Sequence, residues 1–180
     1  MTTVARWTAP EGPWTEPDLR LFPQDGHRYE IVDGSLHVTP PLDQPHEAIV
    51  QAVITTLRGA APEGWWVCPR LGLAFGPHRL IPDVTVLRPD SSGTVWATPT
   101  DVALVIEVED PTSARYDRLL KPSLYAEAAI PHFWRISSGP TVHTHTLTNQ
   151  GYDLQQSVTP PNLVQLTDPY PVRLAPSTWT

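Results

Sequence analysis

Two stretches decide how this chain folds: Ile81-Pro82-Asp83-Val84-Thr85-Val86-Leu87 and Val102-Ala103-Leu104-Val105-Ile106-Glu107-Val108. Each is a short apolar run rich in β-branched residues, with one carboxylate at an end. Runs of this length, bounded by proline, glycine and serine, read as core strands rather than helices. The second is apolar nearly throughout, as a strand covered on both faces should be. Residues 89–99, rich in Ser, Gly, Thr and Pro, read as a surface loop between them. Asp83 follows a proline at the entry of one strand, and Glu107 stands at the C-terminal end of the other, where open α/β sheets commonly place ligands. The two acids are expected to leave neighbouring strands of one core.

Lys121 lies a few turns downstream and is the only lysine; the other eleven basic residues are arginines. Arginine serves as surface charge as well as lysine does, but not where a compact point charge of short reach is required. Two acids hold a hard cation through oxygen, and an ammonium steadies an attacking water. That is the set of groups a metal-dependent phosphodiesterase needs.

Working outward on the N-terminal side, Arg28-Tyr29-Glu30-Ile31-Val32 and Ser35-Leu36-His37-Val38 flank Asp33-Gly34, a two-residue hairpin signal. Residues 46–58 carry Ile49, Ala52, Val53 and Leu57 at helical spacing, with Asp43 as entry signal, Pro45 just inside and Gly59 as stop. Trp65-Trp66-Val67-Cys68 and Leu71-Gly72-Leu73-Ala74-Phe75 read as a strand pair or one long bulged strand. Residues 1–27 hold four prolines and read as an arm with one helical turn near Asp18-Leu19-Arg20-Leu21-Phe22. On the C-terminal side, a helix is expected over 114–129, placing Asp117, Lys121 and Tyr125 on one face. Pro122 requires that helix either to kink or to begin nearby. His132-Phe133-Trp134-Arg135-Ile136 and residues 141–147 form a further strand pair, and 152–158 an edge strand. The organisation expected is an arm over 1–27, one domain over 28–160, and a proline-rich tail over 161–180 that packs on the domain or is ordered only in part.

A chain of 180 residues with 40% apolar content suits one domain with a substantial core. The longest uncharged apolar run is too short to span a bilayer, so no membrane contact is expected. Residues 1–14 lack a signal-peptide pattern, and Cys68, the lone cysteine, permits no internal disulfide. A cytoplasmic location is the expectation. The net charge of −7 works against non-specific affinity for nucleic acid, which depends on phosphate neutralisation. Residues 70–121, however, carry seven acids against six basic groups, and a metal would neutralise some of those acids locally.

The candidates each have a plain alternative. Asp83 is either a metal ligand or a turn residue that caps a strand. Glu107 is either a ligand or a strand-end acid, solvated or paired with Arg115 or Arg118. Lys121 either acts on a substrate or forms a surface ion pair with Asp117. His143 and His145 share a strand face with no acid or cysteine beside them at ligand spacing, and read as a solvated edge strand. Trp65, Trp66 and Trp134 sit in strands and read as packing. Trp7, Trp14 and Trp179 lie near the ends and suit contact with another subunit. There is no Gly-rich phosphate loop, G-x-S-x-G elbow or H-E-x-x-H helix.

An ordered set of short pieces carries a family resemblance. Tyr29-Glu30-Ile31-Val32-Asp33-Gly34, Pro82-Asp83-Val84-Thr85-Val86, Leu104-Val105-Ile106-Glu107-Val108, Lys121, Tyr125-Ala126 and Ile130-Pro131-His132-Phe133-Trp134 resemble the bacterial Uma-type restriction-endonuclease family of the PD-(D/E)XK nuclease superfamily. The pieces span residues 28–136 in that family's order. The resemblance implies an α/β (α+β) fold: a restriction-endonuclease-like mixed β-sheet flanked by helices, with an N-terminal β-hairpin. It implies Asp83 and Glu107 as metal ligands for Mg²⁺ or Mn²⁺, and Lys121 as the catalytic lysine, moved from the superfamily's usual place at 109 to the following helix. Glu30 and His46 match supporting positions. Glu30 would be a third ligand, directly or through water; His46 would orient a phosphate or shuttle a proton. Their plain alternatives are a hairpin-face acid and a first-turn helix residue. Position 109 here is Glu109, so Glu107, Glu109 and Asp110 crowd the strand exit, and they repel unless a cation or arginines intervene. The implied activity is metal-dependent hydrolysis of phosphodiester bonds, with DNA as the expected partner and a homodimer as the expected assembly. A nuclease fold kept as a non-catalytic binding or regulatory module, and a metal-dependent hydrolase of small phosphoesters, remain open readings.

Overall fold

The structure is a computed structural model that describes residues 9–92, 95–110, 116–137 and 139–179. The arm supplies one short helix, α1 (Glu16–Leu19). The hairpin β1 (Arg28–Val32) and β2 (Ser35–Thr39) turns at Asp33 and Gly34, whose φ values of 47° and 72° make the left-handed two-residue turn that the pair favours. Helix α2 (Gln44–Ala60) begins where the Asp43 side chain accepts from the His46 backbone N–H at 3.0 Å. Gly59 does not stop it. The helix ends at extended Ala61, the residue before Pro62, which disfavours helical geometry there.

The next elements are β3 (Trp66–Pro69), β4 (Gly72–Phe75), β5 (His78–Leu80), β6 (Val84–Leu87), β7 (Trp96–Ala97) and β8 (Val102–Val108). A π-helical turn over Tyr116–Leu120 leads into α3 (Lys121–Glu127). Pro122 thus falls in the first turn of α3, directly after the π-helical turn, where the helical geometry changes. Residues 111–115, which include the first two positions of the longer helix expected over 114–129, lie outside the described residues. The chain closes through β9 (His132–Ser137), β10 (Thr141–Thr148), β11 (Gly151–Val158), β12 (Val164–Leu166) and β13 (Val172–Leu174).

Two mixed sheets form the body. One runs β2-β1-β5-β4-β7; the other runs β11-β10-β9-β8-β6-β3. β8 lies antiparallel to β6 and parallel to β9 at the centre of the larger sheet. β3 and β4 belong to different sheets, so the stretch over 65–75 is neither a strand pair nor one bulged strand. Arg70, at φ 48°, turns the chain between them while its N–H is held by the Asp83 carbonyl at 3.1 Å. Residues 81–83 likewise carry the chain from β5 in the small sheet to β6 in the large one. Because β6 and β8 are antiparallel, the start of one adjoins the end of the other, with Val84 opposite Ile106.

The larger sheet buries both faces. Leu104, Ile106 and Val108 pack with α2, β3 and the β12–β13 pair, while Val105 packs with the small sheet and α3. Residues 161–179 are part of the first core: Tyr170, Val172, Leu174 and Trp179 are buried. Trp179 is therefore not available for contact with another subunit, and Trp7 lies outside the described residues. Trp66 is 62% exposed and does not pack, whereas Trp65 rests edge-on against Tyr170. β10 is an interior strand with β11 at the sheet edge, so His143 and His145 are half-buried rather than solvated.

Candidate active site

Alternation along β6 and β8 puts Asp83, Val105 and Glu107 on the same face of the large sheet. The small sheet brings Glu30 from β1 to this place, and α3 brings Lys121 and Tyr125. Glu30, Asp83, Glu107, Lys121 and Tyr125 are all at most 2% exposed. Burying three carboxylates is tenable only if each finds charge and hydrogen bonds.

The partners are specific. Lys121 Nζ stands 2.8 Å from Glu107 Oε1 and 3.3 Å from Glu30 Oε1. The Tyr125 hydroxyl donates to the same Glu107 oxygen at 2.5 Å. Glu30 Oε1 also accepts from the Ile81 N–H at 2.7 Å. Asp83 Oδ2 accepts from the Val108 N–H at 2.8 Å, which ties the entry of β6 to the exit of β8. Arg28 donates to Asp83 Oδ1 at 2.5 Å and to the Ile81 carbonyl at 2.9 Å, and its NH1 lies 3.8 Å from Glu107 Oε2. His46 Nε2 is 3.0 Å from the Val108 carbonyl and 3.4 Å from Asp83 Oδ2.

These contacts set the protonation states. Burial alone would raise the Asp83 carboxyl, but the charge of Arg28, then the His46 hydrogen bond, hold it well below the usual carboxylate range. Burial presses the His46 imidazole toward neutrality, yet Asp83 outweighs it and raises its proton affinity. Burial, reinforced by the Glu107 charge, pushes the Tyr125 phenol well above its ordinary value, so Tyr125 is a donor here. Lys121 is not a surface residue, and among the described residues it meets Glu107, Glu30 and, at 5.3 Å, the centre of the Tyr116 ring. The side chain of Asp117 lies outside the described residues, as does Arg115. His46 is not merely a first-turn helix residue, since its ring reaches Asp83 across 37 positions of sequence.

At the strand exit, arginines take up Glu109. Glu109 receives Arg118 through two nitrogens, at 2.5 and 2.7 Å, and Arg135 at 2.5 Å. Burial would raise its carboxyl; these hydrogen bonds lower it instead. Glu109 is therefore satisfied apart from the Glu107 group. Sequence reasoning missed Arg28 altogether, reading it as an ordinary strand residue. The signal it offered was weak: a β1 residue two positions before Glu30, so on the same face of the strand.

Hard carboxylate oxygens gathered out of water are the donor chemistry for a small dication. Glu30 Oε2 adds a second pointer, being buried with no hydrogen-bond partner among the described residues. The donor set thus fits magnesium or manganese. The acids are not drawn together around one point, however. Among the described residues no three Asp, Glu, His or Cys side chains converge on a common ion position, and Arg28 and Lys121 lie between the acids. A cavity of about 470 Å³ opens beside Arg28 and Ile81.

No curated protein matches the chain. A solved structure does: a crystal structure of a "putative nuclease belonging to DUF820" from Anabaena variabilis superposes with a TM-score of 0.69 at 16% identity, over 93% of this chain and 99% of that one. At that identity the likeness shows a shared fold, a mixed α+β nuclease-like architecture. The profile of the Uma2 family, described as "Putative restriction endonuclease", matches residues 16–177, and the chain belongs to that family.

Proposed function

We propose that the chain is a metal-dependent endonuclease that hydrolyses phosphodiester bonds in DNA, with Mg²⁺ or Mn²⁺ as its cofactor. Membership of a nuclease family supports the reaction class. The observation that carries the residue assignment is the buried Lys121 ammonium, 2.8 Å from Glu107 and 3.3 Å from Glu30, on the sheet face that also bears Asp83. Asp83 and Glu107 would hold the ion, with Glu30 as a further oxygen donor. When bound, such an ion acts as a Lewis acid toward the phosphodiester and makes water a better nucleophile. Lys121 orients the attacking water and stabilises charge that develops on the phosphoryl oxygens. Tyr125 fixes the Glu107 carboxylate by donating to Oε1. His46, wedged between Asp83 and the Val108 carbonyl, positions Asp83 rather than reaching a phosphate.

The test is cleavage of supercoiled plasmid with Mg²⁺ or Mn²⁺. Asp83→Asn and Glu107→Gln keep the side-chain shape and are expected to lower the rate about a hundred-fold or more. Wild-type activity in Glu107→Gln would remove that residue from the mechanism. A second reading, a nuclease fold kept as a binding module, draws on the two cations already lying among the acids. It predicts that the wild-type chain binds neither metal at millimolar concentration.

A further inference from the structure

Arg28 is a cation where the proposed function requires a different one. Its guanidinium spans both proposed ligands, 2.5 Å from Asp83 Oδ1 and 3.8 Å from Glu107 Oε2, and only 11% of its side chain is exposed. Lys121 approaches Glu107 through the other oxygen, Oε1, so the two cations engage different oxygens of the carboxylate. An arginine does not lose its proton in a protein, so Arg28 cannot make way by becoming neutral. It can make way only by moving. Its carboxylate partners close one side. The cavity of about 470 Å³, lined by Arg28 with Arg20, Tyr29, Arg70 and Trp96, opens on another.

We propose that Arg28 is a resident counter-cation of the site: its guanidinium holds Asp83 and Glu107 together until a divalent ion takes its place, and metal binding drives it into the adjoining cavity. The inference rests on the reading of Asp83 and Glu107 as metal ligands. Its physical basis is simple. Three buried carboxylates without compensation would destabilise the fold, and a guanidinium supplies that compensation before the metal arrives. A dication and a guanidinium within a few ångströms repel strongly at low dielectric, so they do not share the position. The metal therefore binds against the cost of displacing Arg28, and its affinity is set by the difference between the two cations.

Calorimetric titration of the full chain with Mn²⁺ alone, for wild type, Arg28→Gln and Arg28→Lys, tests this directly. Arg28→Gln is expected to bind Mn²⁺ at least about ten-fold more tightly than wild type, since a competing charge is gone. Thermal melting should show it less stable than wild type without metal and restored toward wild type with Mn²⁺. Arg28→Lys keeps the charge and should bind within about three-fold of wild type. Equal Mn²⁺ affinity in wild type and Arg28→Gln would overturn the inference while leaving the metal site standing. No Mn²⁺ binding by any of the three would overturn both. A measurement on the wild-type chain covers the case in which Arg28→Gln does not fold: the Arg28 side-chain N–H resonance, identified by its absence in Arg28→Lys, should shift on saturation with Mg²⁺. A resonance that stays in place at saturation means that the guanidinium does not move, and the inference fails.

Discussion

The two faces of β8 are built from adjacent residues and follow opposite rules. On one face Leu104, Ile106 and Val108 meet α2 and the C-terminal strands in an apolar core. On the other, Val105 starts an apolar patch, and the next residue on that face, Glu107, is 1% exposed among Arg28, Lys121 and Tyr125. The apolar face gains from each methyl group it hides, and its contributions are independent. The polar face is an interlocked set of charges in which each member is tenable only while its partners remain. One face makes the sheet stable; the other draws on that stability to keep charged groups out of water.

The sharpest way to break this contrast is to remove one cation. Lys121→Ala leaves Glu107 and Glu30 without their shared ammonium, and the expected loss is about 3–5 kcal/mol in denaturant melts. Adding Glu107→Gln to it should recover part of the loss, because the stranded charge is gone; a double mutant no more stable than the single would show that the face is not a coupled set. On the apolar face Ile106→Ala should cost about 2–5 kcal/mol by opening a cavity. Combined with Glu107→Gln, its effect should add without coupling although the two residues are neighbours in sequence. Coupling of more than about 0.5 kcal/mol would mean that the faces are not separate.

How far the sequence reveals each face follows from the same difference. An apolar core is written locally: the run over 102–108 and the Pro-Asp entry to β6 mark their strands without outside help. Asp83 and Glu107 were legible because each sits at the end of such a run, and Lys121 because no other lysine competes with it. The charges that complete the set are not local. Arg28 reaches Asp83 across 55 positions and the Ile81 carbonyl across 53, and no periodicity in a five-residue strand signals either contact. The tail stayed between packing on the domain and partial order for a related reason. Proline-rich composition suggests weak order, yet the Tyr170 hydroxyl donates to the Leu57 carbonyl 113 positions away, a bond that only the assembled core supplies. Glu109 is a third case: its proximity to Glu107 predicted repulsion unless a cation or arginines intervened, and the arginines that do, Arg118 and Arg135, lie 9 and 26 positions away.

The smallest expected effect extends the comparison to the strands beside β8. His143 lies opposite Arg135 and His145 opposite Phe133, and Arg135 in turn lies opposite Glu107, which places both histidines on the polar face. Burial lowers the proton affinity of each, and Arg135 adds to the effect. A histidine whose folded pKa is depressed contributes stability that is fully present above its unfolded value, near 6.5, and is lost as the pH falls. Stability should thus decline from about pH 6.5 downward, well before Asp83, whose carboxyl is held below the usual carboxylate range, begins to take up a proton. Replacing both histidines (His143→Gln, His145→Gln) should reduce the slope of the denaturation midpoint between about pH 7 and 5, because glutamine has no proton to gain, leaving the part that comes from His132, whose proton affinity burial also lowers. The neutral His143 ring also makes bonds that protonation would disturb, lying between the Ser137 and Ser157 hydroxyls, whereas the Nδ1–H bond of His145 to the Phe133 carbonyl favours the protonated ring and offsets part of the burial effect there. If the slope is unchanged in the double variant, the acid sensitivity belongs to other groups, His132 among them, and the polar face is confined to the carboxylate cluster itself.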